Sequence, residues 1–358
     1  VSAVAKPEVV QAARTLLQQM GITPADLLNT AVPGRSTPTF AEYVPIVAAA
    51  VAPGSQRMYG TYWAKAVERW ADRHIDEVIP SEIEVAMREI QANALRRRNN
   101  RGGRSAAEHF ISAMRCFYKR AVADGYIGES DNPARKVSKP ARHASTRSAL
   151  ADDRLAELTA TAGTSGNDPE LDTLILRFHI ETACRRGGLL GLRPMDLDVE
   201  QCLVLLREKG ETFRWQPISP TLMAFLRQHA QERGSPQNET LLRYRNGKPV
   251  GRRRYDYLFT RVGELLPWAR TQMISAHWLR HTTLTWVERV YGYAVALAYA
   301  GHAETPNDAG TTARYVKATL QEVATAMAGL TGEPHPLALP DTLAVLNFAS
   351  DALVGEYD

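Results

Sequence analysis

Apolar residues recur at helical spacing through most of the chain and alternate at strand spacing in one short stretch. Near the start, Val9, Ala13, Leu16, Leu17 and Met20 share one helical face, Gly21 suits a stop, and Thr23-Pro24 reads as the cap and first position of a second short helix. Residues 39–140 read as all helix. Tyr59, Tyr62, Trp63, Val67 and Trp70 mark one stripe, Pro80 opens another helix, and Phe110, Ile111, Met114, Phe117 and Tyr118 mark a third. Ser105-Ala106-Ala107-Glu108 has the form of a capping box at the head of that third helix. Further on, residues 171–181 and 282–300 predict two strong helices. Residues 202–206 and 213–218 read as short strands joined by a hairpin over 207–211. Asp341 predicts the cap of a last helix with Leu343, Leu346 and Leu353 on one face.

The pattern divides the 358 residues into five parts: a small helical appendage (1–38), a helical domain (39–142), a Pro/Ser-bearing linker (143–148), a mostly helical domain with one small sheet (149–330) and an acidic extension (331–358). The expected fold is mainly α with a small β-sheet in the second domain. The longest apolar run is about nine residues, 44–52, with Pro45 inside it, whereas a membrane span needs roughly 20. No basic segment followed by an apolar one reads as a signal peptide, so the expected location is cytoplasmic. Cys116, Cys184 and Cys202 form neither a CxxC pair nor a cluster with histidine, which argues against a disulfide framework and a zinc finger.

Charge changes the picture once it is resolved along the chain. The formal net charge is only +4. Residues 91–147 carry net +9, residues 201–282 carry +8, and residues 301–358 carry −6. Two basic blocks on separate domains suit phosphate contacts, which bring most of the affinity of DNA binding. The candidates in the first block are Arg96, Arg97, Arg98, Arg101, Arg104, Arg115, Lys119, Lys136, Lys139 and Arg142. The arginine-rich run ends just before a helix N-terminus, which is a natural phosphate site. In the second block the candidates are Arg252, Arg253 and Arg254.

Four chemical features stand in order across the second domain. They are Thr182-Ala183-Cys184-Arg185-Arg186-Gly187-Gly188, the hairpin residue Lys209, His277-Trp278-Leu279-Arg280-His281, and Gly301-His302 followed by Thr311-Thr312-Ala313-Arg314-Tyr315. This order and spacing resembles the tyrosine recombinases, the phage-integrase family. The family signature is an Arg after a Thr-Gly-like turn, a hairpin Lys, His-x-x-Arg, Gly-His, and a Tyr shortly after Thr-Thr. The resemblance covers roughly residues 39–330, and Asn132-Pro133 before the linker adds to it on the first domain.

The resemblance implies a core-binding domain and a catalytic domain closing as a C-shaped clamp on double-stranded DNA, with four copies assembling through a Holliday junction. It implies Tyr315 as nucleophile, Arg185 and Arg280 on the non-bridging phosphate oxygens, and Lys209 as the acid for the leaving 5′ oxygen. His277 takes the tyrosine proton or holds the phosphate, and His302 donates a further hydrogen bond. The product is a 3′-phosphotyrosyl linkage, and neither metal nor ATP is required. A tyrosine hydroxyl with a pKa near ~10 needs such help to attack, and guanidinium groups match phosphate geometry. Tyr291, Tyr293 and Tyr299 are expected to pack rather than react, Trp278 to lie in the core, and His281 to be structural.

Three positions depart from the family pattern: Ala183 for the usual Gly, Gly188 for an acidic residue that braces the site, and a segment over 304–310 about four residues longer than usual. The leading reading is an integrase or excision enzyme of a prophage or mobile element, with accessory DNA-bending or directionality factors as possible partners. Alternatives are a Xer-like resolvase, a type IB topoisomerase-like enzyme and a catalytically decayed DNA-binding regulator. The acidic extension is expected to dock on a neighbouring subunit or back on its own domain.

Overall fold

The computed structural model describes residues 7–21, 36–94, 101–141, 148–207, 213–301 and 318–339. The chain falls into two compact units, residues 1–144 and 145–358, each with its own apolar core. Among the described residues no helix is long and apolar enough to cross a membrane.

The first unit contains α1 (Pro7–Gln19), α2 (Phe40–Ala50), α3 (Pro53–Trp70), α4 (Pro80–Ala92), α5 (Arg104–Ala123) and the short α6 (Pro133–Lys136). A capping box opens α2: the Glu42 amide donates to the Thr39 hydroxyl at 3.3 Å, and the Thr39 amide donates to the Glu42 carboxylate at 2.9 Å. The aromatic stripe of α3 turns inward. Trp63 and Trp70 are buried, while Tyr59, Tyr62 and Val67 pack around them. Phe40 stacks on Phe117 with centroids 5.1 Å apart. Burying one such ring contributes about 3 kcal/mol. The Trp63 indole N–H donates to the Ala113 carbonyl at 3.0 Å, so its polar atom is satisfied inside the core.

The expected capping box at Ser105 is not how α5 begins. The helix starts at Arg104, with Gly103 as its N-cap in the left-handed region and Gly102 also at positive φ. A Cβ on Gly103 would fall 2.1 Å from the Gln91 carbonyl oxygen. The glycine pair therefore lets the chain turn tightly against the end of α4, and Ser105 lies one residue inside the helix.

The second unit contains α7 (Asp152–Thr164), α8 (Pro169–Thr182), α9 (Arg186–Leu190), β1 (Leu197–Asp198), β2 (Leu203–Arg207), β3 (Phe213–Pro217), α10 (Pro220–Glu232), α11 (Arg252–Leu265), α12 (Pro267–Gln272), α13 (Ala276–Tyr291), α14 (Tyr293–Ala300) and α15 (Leu320–Thr331). The fold is thus mainly helical with one antiparallel sheet in the order β1-β2-β3, in which Leu205 faces Trp215 across β2 and β3. β1 was not visible in the sequence, because two residues are too few to show alternation. α8 runs through the core, with Leu171, Ile175, Leu176 and Phe178 fully buried.

The single helix expected over 282–300 is two helices. They break at Gly292, whose φ of 84° and ψ of 171° belong to a region that only glycine occupies readily. α15 folds back on its own domain, where Val323, Ala326 and Met327 pack with Val287, Val295, Ala296 and Tyr299. The chain beyond it stays docked. Glu333 accepts from Arg177 at 2.7 Å and from the Thr221 amide at 3.1 Å, and His335 bonds the Cys202 carbonyl at 3.2 Å. The helix expected after Asp341 lies outside the described residues.

Candidate active site

The centre of the site is the C-terminal end of α8. A helix leaves its last four carbonyls without partners inside the helix. Here a side chain from elsewhere in the domain reaches each of them. The Thr283 hydroxyl donates to Ile180 O at 2.6 Å, the Tyr299 hydroxyl to Glu181 O, Arg214 Nη2 to Thr182 O at 3.4 Å, and Arg280 Nη1 to Ala183 O at 2.5 Å. The next carbonyl, Cys184 O, bonds His179 Nδ1 at 3.2 Å. Arg185 follows immediately, exposed, as the residue that leads into α9.

Two arginines of the expected set are thereby joined through backbone. Arg280, only 4% exposed, sits on α13 and donates from Nη2 to Ala300 O at 2.7 Å as well as from Nη1 to Ala183 O. One guanidinium thus links the end of α8 to the end of α14. The negative ends of two helix dipoles favour a cation at that point. His277 lies one turn before Arg280 on α13, is exposed, and meets the His281 ring edge-on at 4.7 Å. Trp278 is buried in the core.

The turn before Arg185 has a support that sequence reasoning missed. His179 is fully buried between Cys184 O and the Tyr255 hydroxyl, which lies 2.8 Å from Nε2. A carbonyl only accepts, so Nδ1 carries the proton and Nε2 accepts from Tyr255. Burial lowers the His179 pKa to about 4, which keeps the ring neutral in this role. No local signal marks it, because a histidine on an apolar helix face has no sequence pattern of its own. Asp196 is a second missed support. It is 2% exposed, pairs bidentately with Arg207 on β2 and accepts the Arg193 amide at 2.9 Å. This fixes the base of the hairpin.

Two of the three departures from the family pattern have local explanations, and the third, the segment over 304–310, lies outside the described residues. Ala183 adopts φ 49°, the left-handed conformation a glycine would take more easily, and its methyl group is buried. Gly188 is buried, and a Cβ there would touch Cys184 and Leu206 at 3.6–3.8 Å. That setting is apolar and does not suit a carboxylate. Among the tyrosines expected to pack, Tyr299 is fully buried and Tyr291 lies against Trp286 at 5.8 Å. Tyr293, the first residue of α14 after the break at Gly292, is 64% exposed, and the packing expectation does not hold for it.

Lys209, His302 and Tyr315 lie outside the described residues, as do Arg96, Arg97, Arg98 and Arg142. Of the other expected phosphate contacts, Arg104, Lys119, Lys136, Lys139, Arg252 and Arg253 are exposed. Arg101 begins the turn that leads to α5. Arg115 donates to Ala134 O and Val137 O at 3.3 and 2.8 Å, so it pins the chain around α6. Arg254 is a correction. It is 3% exposed and bonds Asp172, Asn167 and the Asp168 carbonyl, so it holds α11 to α8 from within and presents nothing to a phosphate.

Residues 149–322 match the phage integrase family. The chain is 24% identical over 197 residues to tyrosine recombinase XerC of Chlamydia caviae, covering 54% of this chain and 62% of that protein. It is 25% identical over 138 residues to tyrosine recombinase XerD of Lacticaseibacillus casei, covering 38% of this chain and 46% of that protein. The match thus spans less than two thirds of either relative. Among solved structures, a lambda integrase dimer bound to a COC′ core site superposes with a TM-score of 0.56 at 15% identity, over 76% of this chain and 96% of that one. XerH in a post-cleavage complex with palindromic difH gives 0.55 at 14% identity, over 74% and 78%. At these identities the likeness is one of fold.

Proposed function

Residues 149–322 belong to the phage integrase family, and on that premise we propose that the chain is a site-specific DNA recombinase that cleaves and rejoins DNA through a 3′-phosphotyrosyl intermediate. The observation that carries this reading is the bond from Arg280 to Ala183 O, two residues before Arg185. It supports a shared role for the two arginines at one phosphate.

In the proposed reaction the Tyr315 oxygen forms a bond to phosphorus as the bond from phosphorus to the 5′ oxygen breaks. The tyrosine proton passes to His277, and Lys209 gives a proton to the departing 5′ oxygen. Arg185 and Arg280 hold the non-bridging oxygens and stabilise the charge that builds on them. His302 donates a further hydrogen bond. The linkage keeps the bond energy, so a 5′ hydroxyl from another strand reverses the step without ATP. The partners are double-stranded DNA and further copies of the chain, four on two sites, acting in the cytoplasm. Arg104, Lys119, Lys136, Lys139, Arg252 and Arg253 contact phosphates along the duplex.

The integrase or excision subtype is the first reading. A resolvase is the second, favoured by the two Xer relatives. The test is covalent capture: a duplex nicked beside the scissile phosphate loses its short leaving strand and traps the adduct. Wild-type protein is expected to give a denaturation-resistant protein–DNA species and Tyr315→Phe none. An adduct from Tyr315→Phe would overturn the nucleophile assignment.

A further inference from the structure

Arg214 was in no set of candidates, yet it reaches the same two helix ends as Arg280, from β3. It lies half-buried on β3, between the exposed Phe213 and Trp215. Its side chain points to the other face of the strand, toward the helices. Nη2 donates to Thr182 O at 3.4 Å, and Nη1 donates to the Gln216 side-chain oxygen on the same strand.

The stem of Arg214 rests on Gly301. A Cβ at Gly301 would fall 2.3 Å from Arg214 Nε and 2.5 Å from Cδ. Gly301 also has φ 63° and ends α14. A side chain at this position is thus excluded twice, by the backbone conformation and by the arginine. Arg280 bonds the carbonyls of Ala183 and Ala300. Arg214 touches the residues beside them, Thr182 and Gly301. Two arginines from different elements therefore cross-link the end of α8, which leads into Arg185, to the end of α14, which leads into Gly301.

We infer that Arg214 is a positioning residue for strand cleavage: from the sheet it fixes the end of α8 against the Gly301 turn, and so fixes Arg185 relative to Arg280. The inference rests on the recombinase reading above. Tyr299 on Glu181 O and Arg280 on the carbonyls of Ala183 and Ala300 tie the end of α8 to helices only. Arg214 adds the tie from the sheet, at Thr182 O, and a displacement of about 1 Å at a reacting group can cost 100-fold in rate.

The test uses the full chain and a nicked duplex selected by covalent capture with wild-type protein from a randomised pool. Arg214→Ala is expected to slow adduct formation about 100-fold while binding to the same duplex stays within about twofold. Arg214→Lys keeps the charge and one donor and falls between the two. A second duplex replaces one non-bridging oxygen of the scissile phosphate by methyl. The phosphonate carries no charge for the arginines to hold, so the Arg214→Ala defect is expected to shrink to less than about tenfold. Equal defects on both duplexes, or a loss of binding that matches the loss of rate, would overturn the positioning role.

A thermal readout tests the contact without catalysis. Gly301→Ala is expected to lower Tm less in the Arg214→Ala background than in wild type, because the clash with the guanidinium stem is gone. Equal shifts would overturn the contact. If folded wild-type protein captures no duplex at all, the recombinase reading fails and this inference with it. If wild type forms the adduct and Arg214→Ala does so at the same rate, only this inference fails.

Discussion

Arg280 donates to the carbonyl oxygen of Ala183, the residue whose left-handed backbone closes α8 two positions before Arg185. The two residues are 97 apart in sequence, and their bond joins elements that no local pattern connects. The left-handed turn aims the Ala183 carbonyl at Arg280 and sends the chain toward α9. The conformation that alanine tolerates poorly thus places Arg185 and satisfies a helix-end carbonyl together.

Arg280→Ala should cost stability as well as chemistry. The substitution leaves the carbonyls of Ala183 and Ala300 buried without this donor, at about 1–3 kcal/mol each. Arg280→Lys cannot span both, since an ammonium is a point donor rather than a planar fork. Urea denaturation should show a clear fall in midpoint for both variants, with alanine the lower. Covalent capture should show that lysine recovers only a minor part of the rate. A lysine variant with wild-type midpoint and rate would mean that the two carbonyls have other sufficient donors.

Acid should weaken the second unit through histidines that are buried neutral. His179 and His229 both have their pKa lowered to about 4, first by burial, from an ordinary value of 6.5. Between those values the unfolded chain binds protons that the native state does not. The stability they contribute is therefore present above about pH 6.5 and lost as pH falls toward 4, by about 2 kcal/mol per histidine between pH 7 and 5. His179→Gln should remove one such step. Urea midpoints at pH 7, 6 and 5 report it, and an unchanged slope in His179→Gln would show that this ring is not the source.

Much of the architecture was legible because it depends on patterns that repeat. The stripe through Trp63 and Trp70 is local, and its burial follows directly; the run over 213–218 marks a strand but not its inner face, since Phe213 and Trp215 are exposed and Gln216 is buried. The order Arg185, His277, Arg280 was legible because it depends on residue type and spacing. What was hidden depends on backbone groups brought together by tertiary folding. The carbonyls of residues 180–184 carry no side-chain identity, so their partners Thr283, Tyr299, Arg214, Arg280 and His179 left no trace in the pattern. Gly102, Gly103 and Gly292 were visible as glycines, but where a left-handed turn falls depends on the neighbours it must avoid. Arg252, Arg253 and Arg254 look alike in sequence. On a helix the third lies about 200° round from the first, which turns it into the core.

Asp196 should matter to catalysis through the hairpin. Its carboxylate is 2% exposed and ties Arg207, two residues before Lys209, to the Arg193 amide. Asp196→Asn cannot reproduce the bidentate pair and leaves a cation at the base of β2 without its counter-charge. Removing one partner of such a pair costs about 3 kcal/mol, and less where the other partner is partly solvated, as Arg207 is. The adduct-forming step should slow more than DNA binding weakens. If Lys209 acts on the leaving group, a duplex with sulfur at the 5′ bridging position, which leaves without protonation, should recover most of the rate. No recovery with sulfur would place the defect elsewhere than in the hairpin.

The three arginines that open α11 should separate cleanly by experiment. Arg252 and Arg253 are exposed, and Arg254 is buried against Asp172 and Asn167. If the first two contact phosphates, Arg252→Ala and Arg253→Ala should each weaken DNA binding and lower the salt-dependence slope by about 1, with little change in Tm. Arg254→Ala should do the reverse. It strips Asp172 of a partner in a site that is 0% exposed, which leaves Arg261 as that carboxylate's ion-pair partner among the described residues. A loss of about 3 kcal/mol is expected, with an unchanged salt slope for the protein that stays folded at low temperature. Salt titrations of binding at fixed temperature, paired with denaturation curves, check both halves. A reduced slope in Arg254→Ala at full stability would return that residue to the DNA-contacting set.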